Sequence, residues 1–301
     1  MDFRKLIEEI CIEENIDYKL ISKEWVMVLS KNNIIKYIFG YKFSLNNHAI
    51  GNIVDDKYAL YELCKIKNLP IIEHNILFSP NNNLGYNSNS LIEKYFLKYN
   101  EDVVVKPNNG TEGENVYHIK NKEELLNITN NLFKTNYSIS ICPFYNIEKE
   151  YRVVVLNGEV ELIYEKNKPI VIGDGKKSIK ELLIDLNPYY FKNIKFNKDY
   201  ERILSKNESF MYDWRFNLSK GATAKLVKDK DLYNKLSEIA VNICNKIDVN
   251  FVTVDIIKSN NDYYLMEINS GVHIEKVSNF IDKDFKIAKK IYKKAILEMF
   301  K

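Results

Sequence analysis

The sequence predicts an α+β fold with a small N-terminal lobe, and three observations lead there. β-Branched and aromatic runs at 150–156 and 159–165 are joined by the tight turn Asn157-Gly158. Residues 229–247 have the apolar spacing of a long amphipathic helix, and 282–300 mix lysines with apolar positions as a half-exposed surface helix does. Near the C-terminal end, the apolar runs 251–257 and 263–270 flank the polar segment 258–262 and read as a hairpin of buried strands.

Taken in order, residues 3–14 have helical periodicity, and 18–43 alternate apolar and polar residues around a turn at Lys31-Asn32-Asn33. Asp55-Asp56-Lys57-Tyr58 opens a helix whose acidic start suits the helix dipole and which ends before Leu69-Pro70. The Asn-rich stretch 79–90 reads as a loop, 90–99 as a helix and 102–106 as a strand. A helix from 121 to about 133 precedes strands at 137–144 and 150–156. Gly173-Asp174-Gly175 leads into a helix over 176–186, and 187–208 is polar and only partly helical. The divisions expected are 1–55, 56–140 and 141–301.

With 301 residues, 46% of them hydrophobic, the chain can bury a sizeable core. No apolar run reaches the roughly 20 residues that cross a bilayer, and the acid-bearing start lacks a signal-peptide pattern, so no membrane partner and a cytoplasmic location are expected. The net charge of +3, with signs intermingled, gives no footprint for nucleic acid. Cys11, Cys64, Cys142 and Cys244 are widely spaced and read as buried thiols. Arginine is rare, which gives Arg152 and Arg215 weight, because a two-point guanidinium grip is not replaced by lysine.

The C-terminal hairpin carries chemistry. Glu267 and Asn269 occupy alternate positions of one strand and share a face, on which Asp255 from the neighbouring strand can join them. Two carboxylates and an amide oxygen are hard ligands that suit Mg²⁺, or Mn²⁺ in its place, with phosphate oxygens completing the shell. The opposite charge lies at Val103-Val104-Val105-Lys106-Pro107, where a strand ends in lysine and the loop 108–116 follows with Gly110 and Gly113. Such a loop can close over a triphosphate while Lys106 supplies a compact positive charge, although the segment also reads as a solvated hairpin.

The ordered series Asp56-Lys57, VVVKPNNGTEGENV, Glu150-Tyr151-Arg152-Val153, VIGDGKKSI, Arg215-Phe216-Asn217-Leu218, then Asp255 and Glu267-Ile268-Asn269 resembles the ATP-grasp superfamily of ligases. The similarity is closest to the branch of cyanophycin synthetase and glutathione synthetase and covers residues 55–275. It implies two α+β subdomains clasping ATP behind a reduced N-terminal lobe. It also implies an ADP-releasing carboxylate–amine ligase that works through an acyl phosphate on an amino acid or small peptide. A ligase that modifies a longer peptide and a silent ATP-binding module are the alternatives. ATP, a carboxylate and an amine are the implied partners, and a homo-oligomer is left open.

The resemblance puts Lys57 and Lys106 on the ATP phosphates under a lid with Gly110, Thr111 and Gly113. Ile141, Cys142 and Phe144 edge adenine, and Glu150, with Glu148 as alternative, holds the ribose. Arg215 and Asn217, with Lys106, fall near the transferred phosphoryl and acyl groups, and Asp255, Glu267 and Asn269 on the metal. Arg152, Arg215, Lys220, Gly221 and His273 face substrate. Arg152 could equally pair with an acid across the sheet, and His273 could be structural. Gly271-Val272-His273 stands where the family has N-x-P-G, and Lys220-Gly221-Ala222 where it has a double glycine.

Overall fold

A computed structural model of the chain describes residues 2–81, 88–110, 113–187, 191 and 197–301. They form two compact units, one of residues up to Glu165 together with Lys225–Lys301, the other of Lys166–Ala224. The second unit lies inside the expected 141–301 segment, because the chain leaves a sheet, folds locally, and returns to the same sheet.

The first unit begins with α1 (Phe3–Glu13), capped by the Asp2 side chain, and a four-stranded antiparallel sheet. Its strands β1 (Asp17–Ile21), β2 (Val26–Lys31), β3 (Ile34–Phe39) and β4 (Lys42–Phe43) lie in sequence order. Met27, Leu29, Ile38 and Phe43 are buried on its inner side. The sequence reading missed α2 (His48–Asp55), started by an Asn47 cap, and placed α3 (Lys57–Ile66), capped by Asp56, correctly.

A second antiparallel sheet has the order β5 (Asn75–Phe78), β8 (Ser138–Pro143), β6 (Val103–Pro107), β7 (Tyr117–Ile119). One face packs against α4 (Ser88–Lys98) and α5 (Lys122–Leu132) through Ile92, Phe96, Val103, Val105, Leu125, Ile139 and Ile141. The alternate residues Val104, Lys106, Ser140 and Cys142 face the other way.

The third sheet has five strands, β13 (Thr223–Leu226), β10 (Glu159–Asn167), β9 (Lys149–Leu156), β14 (Phe251–Ser259) and β15 (Asp262–Asn269). Tyr151, Val153, Val155, Val252, Val254, Ile256, Leu265 and Ile268 form one core with Leu60 and Cys64 of α3 and with Leu236, Ala240, Ile243 and Ile247 of α7 (Lys230–Ile247). Strands β14 and β15 run closer together than expected, since only Asn260 and Asn261 turn between them, both at positive φ. The chain ends in α8 (Glu275–Ile281), which the sequence reading missed, and α9 (Lys286–Met299).

The second unit pairs β11 (Ile170–Ile172) with β12 (Ser209–Met211) and packs α6 (Ile179–Leu186) on a small core of Val171, Ile179, Leu183, Phe191 and Leu204. The GDG segment explains itself locally. Asp174 accepts from the backbone N–H groups of Lys176 and Lys177, both at 2.8 Å, and Ser178 with Glu181 closes a capping box at the start of α6. Among the described residues, no helix is long and apolar enough to cross a membrane.

Candidate functional site

The carboxylate face depends on one irregularity. Asp255 pairs with Glu267 and Thr253 with Asn269, but Ile256 pairs with Leu265, so Met266 is an extra residue in β15. Leu265 and Ile268, three positions apart, would point to opposite faces of a regular strand. The bulge lets both enter the core and leaves Glu267 and Asn269 on the other face beside Asp255. Segment 70–72 fastens this strand from outside, Leu265 N–H donating to Pro70 at 2.8 Å and Ile72 N–H to Leu265 at 3.0 Å.

Asp255 is fully buried, and Arg152 grips it from β9 with Nε and Nη2 each 2.6 Å from a carboxylate oxygen. Of the two readings open for Arg152, the cross-sheet pairing is the one present. Burial works against the Arg152 charge, and Asp255 overcomes it and holds the guanidinium protonated. Asn269 Nδ2 donates to Glu267 at 3.3 Å, and the buried Thr253 hydroxyl beside them has no hydrogen-bond partner. Among the described residues, no three His, Cys, Asp or Glu side chains could hold a metal ion. The donor set here is two carboxylates and an amide with an orphaned hydroxyl nearby, which fits a hard cation that takes its remaining ligands from phosphate and water.

Lys106 and Lys57 form the basic side. Lys106, paired in register with Ser140, lies almost buried one residue before the end of β6. Lys57 begins α3, and its Nζ donates to the carbonyls of Asn108 at 3.1 Å and Gly110 at 2.8 Å. The Asn108 amide bridges Asp56 Oδ2 at 2.6 Å and the Tyr58 N–H at 3.2 Å. Asn108 is fully buried, so the start of the expected lid is an anchor to α3, and these two loop carbonyls are turned toward a lysine. Thr111 lies outside the described residues; Gly113 lies just beyond it.

Burial pushes the Lys57 ammonium down to about 8; Glu267 opposes this, Lys106 reinforces it, and Asp56 and Asp55 oppose it. The field of Glu267 and that of Lys106 thus meet at one ammonium, which lies between the carboxylate face and the loop after Lys106. His74 shares that field unnoticed by sequence reading. It is fully buried with Nδ1 2.8 Å from Ser140 Oγ. Burial, Lys106 and Lys57 hold its imidazole well below the ordinary range, so it stays neutral beside two lysines. Nothing in a lone histidine before a short strand announces this.

The three residues expected around adenine divide. Cys142 faces the Lys106 side, its thiol pushed up by burial, whereas Ile141 packs into the α4–α5 core on the opposite face. Phe144 stacks on His118 at 3.7 Å and 9°, and His118 Nε2 is 2.6 Å from Asp102, so one ring face of Phe144 is covered. Glu150 is buried two residues before Arg152 on the same side of β9, whereas Glu148 reaches Lys258 at 3.4 Å.

Beyond Asn269 the chain is tied to the N-terminal lobe. Ser270 donates its N–H and hydroxyl to Asp55 at 2.8 and 2.7 Å, and the Val272 N–H donates to Tyr41 at 3.0 Å. His273 stacks on Tyr41 at 4.2 Å and lies 3.1 Å from the buried carboxylate of Glu275. Burial raises Glu275 to about 7.

Arg215, Asn217, Lys220 and Gly221 belong to the second unit. Arg215 Nε and Nη2 hold Asp213 at 2.9 and 2.6 Å, and Asn217 caps the 3₁₀ turn Leu218–Lys220. Gly221 ends that turn at φ +97°, and a Cβ there would sit 1.9 Å from the Tyr212 hydroxyl, so glycine is required.

Residues 204–294 match the family model of the RimK-like ATP-grasp domain. A bifunctional glutathione synthetase from Pasteurella multocida superimposes over 98% of this chain with TM-score 0.58 at 16% identity. The chain carries the ATP-grasp fold. It spans 44% of that synthetase's length. A D-alanine–D-alanine ligase from Bacillus anthracis has the same ATP-grasp architecture, with TM-score 0.55 and 14% identity over 84% of this chain and 69% of its own. The ATP-grasp ligase PsnB, solved with a phosphomimetic variant of its minimal precursor, Mg and ADP, matches with TM-score 0.50 and 12% identity over 85% of this chain and 62% of its own. No curated protein matches the chain by sequence.

Proposed function

We propose that the chain is an ATP-dependent carboxylate–amine ligase that releases ADP and phosphate and forms an amide through an acyl phosphate. The observation that carries this reading is the meeting of Asp255, Glu267 and Asn269 on one face with Lys57 and Lys106 within each other's field. ATP and a carboxylate substrate are both anions, so their approach needs positive charge and a hard cation at the reacting oxygens. Mg²⁺ held by Asp255, Glu267 and Asn269 would supply Lewis acidity toward phosphate oxygens.

The chain's own residues do the rest. Lys57 ties down the loop after Lys106 and takes full charge when a triphosphate arrives, Lys106 neutralises a second phosphate, and neutral His74 avoids a third positive charge. Arg152 pairs with Asp255 at two points and orients its carboxylate. Cys142 and Glu150 are the adenine-side and ribose residues we retain, with Phe144 kept beside them and Ile141 contributing its backbone. The R-x-N-L motif supports Arg215 and Asn217 as phosphoryl and acyl residues, and Lys220, Gly221 and His273 remain substrate residues on the same footing. Gly110, Thr111 and Gly113 are proposed to cover the phosphates.

Incubation with ATP, Mg²⁺ and amino-acid pools, reading ADP release, tests the function, and hydroxylamine traps the acyl phosphate as a hydroxamate. Tight ATP binding without turnover in any mixture would leave only the silent module. The likeness to PsnB, solved with a variant of its minimal precursor, favours a second version, in which a longer peptide supplies the carboxylate.

A further inference from the structure

The N-terminal sheet is apolar on both faces. Its inner side buries Met27, Leu29 and Ile38, as one-sided solvation of an antiparallel sheet allows. Its outer side should be polar and is not. In register across β1, β2 and β3 stand Ile21, Val26 and Phe39, then Lys19, Val28 and Tyr37, then Asp17, Ser30 and Ile35. Phe39 is 56% exposed, Ile35 54%, Tyr37 51% and Ile21 41%. Trp25, 54% exposed, sets its ring edge-on to Phe39 at 6.0 Å and lies so close over Gly40 that a Cβ there would meet it at 2.8 Å. These aromatic groups form an ordered platform in water, the kind of patch that marks an interaction surface.

Size and charge select the occupant. A strand spacing of about 4.8 Å and a same-face repeat of about 6.7 Å give about 300 Å² for nine positions. A stable dimer needs about 800 Å² from each partner, so a second copy of the chain cannot be held by this face alone. A single extended segment of about six residues, roughly 20 Å long, covers it. Lys19 stands in the middle row and Lys23 at the adjoining turn, and among the described residues neither makes an ion pair; Asp17, at the end of the third row, offsets one of these charges and leaves the turn end of the face positive. Arg4 and Lys42 at the border are already joined to Asp2 and Asp55. The complementary partner therefore presents aromatic or branched apolar side chains and a carboxylate.

We propose that this face docks a short extended peptide segment of that composition and anchors a peptide substrate beside the ligation site. Docking itself stands apart from the ligase reading; the word substrate rests on it. The link to the site is short. The turn under Trp25 continues into Tyr41, whose carbonyl accepts from Val272 and whose ring stacks on His273, on the segment that leaves the metal strand.

The test uses a fluorescein-labelled eight-residue peptide of phenylalanine, valine and glutamate, and a copy with lysine in place of glutamate. Fluorescence anisotropy should show saturable binding of the acidic peptide, weakened tenfold or more by Phe39→Glu or Tyr37→Lys. Lys19→Glu should reverse the preference between the two peptides. Both Phe39→Glu and Tyr37→Lys lie on an exposed surface and should leave the thermal melt and Mg-ATP binding unchanged, which separates lost docking from lost folding. Equal binding by wild type and Phe39→Glu, or none by either, overturns the proposal. So does a dimer in sedimentation that Phe39→Glu dissolves, or binding to phosphatidylserine vesicles in place of the peptide. Peptide binding without ADP release in any mixture would keep the docking face and remove the ligase.

Discussion

Replacing Lys57 with methionine should make the unliganded protein no less stable while abolishing its response to ATP. The Lys57 ammonium titrates at about 8 against an ordinary 10.5. Between those values the unfolded chain holds the proton and the folded one does not, so folding stability rises with pH there. Below about pH 8 the folded protein bears the whole cost of a buried charge, on the order of 3 kcal/mol for this shift at 1.36 kcal/mol per pH unit. Methionine keeps the packing and removes that cost. It also leaves the Asn108 and Gly110 carbonyls without their donor, which returns about 1–3 kcal/mol. The two nearly cancel at pH 7, and urea denaturation should place wild type and variant within about 1 kcal/mol of each other.

The gap between them should then move with pH. Between pH 8 and 10 wild type should gain up to about 3 kcal/mol on the variant as the cost disappears. Mg-ATP should raise the wild-type melting temperature and leave the variant unmoved. Calorimetric titration at pH 8 in buffers of different ionisation heat should show uptake of about half a proton per nucleotide by wild type, since the phosphates restore the ammonium. A variant destabilised by several kcal/mol with no dependence on pH, or one that still binds Mg-ATP with proton uptake, would refute this account of Lys57.

Glu267→Gln should lower ATP turnover by about 100-fold or more in an ADP assay, because charge stabilisation at the phosphoryl group is worth several kcal/mol. Arg152→Ala should destabilise the fold by about 3–5 kcal/mol by stranding the buried Asp255, and added Mg²⁺ should restore much of that in thermal melts, whereas wild type responds weakly. Glu275, raised from 4.5 to about 7, binds its proton more tightly folded than unfolded, so stability should fall as pH rises across that window; Glu275→Gln should flatten the fall in denaturation series. Gly221→Ala should cost about 2 kcal/mol or more from its positive φ and its clash with Tyr212, and protease should cut the second unit first.

Much of the site was legible because strand alternation is a local rule. Glu267 and Asn269 share a face by spacing alone, and Asp255 joins them through a hairpin of adjacent strands. Ile141 was harder. Its strand was recognised, but which parity faces Lys106 depends on the register between β6 and β8, and the helices α4 and α5 claim the parity to which Ile141 belongs. The two missed helices are short, and α8 has no side-chain cap to announce it. The choice between the two partners open to Arg152 was a question of distance across the sheet, which no single strand encodes.

By itself the sequence determined the strands and helices, the hard-oxygen character of the C-terminal hairpin and the order of its motifs, since periodicity and residue chemistry are properties of neighbours along the chain. Tertiary structure decided what residues far apart do to one another. The bulge at Met266 aims the carboxylates, burial and the charge of Lys106 lower Lys57 toward neutrality, and buried His74 stays uncharged between lysines from separate elements. Burial and electric field depend on what surrounds a group in space, and for these residues almost nothing of that surrounding is contributed by their own neighbours in sequence.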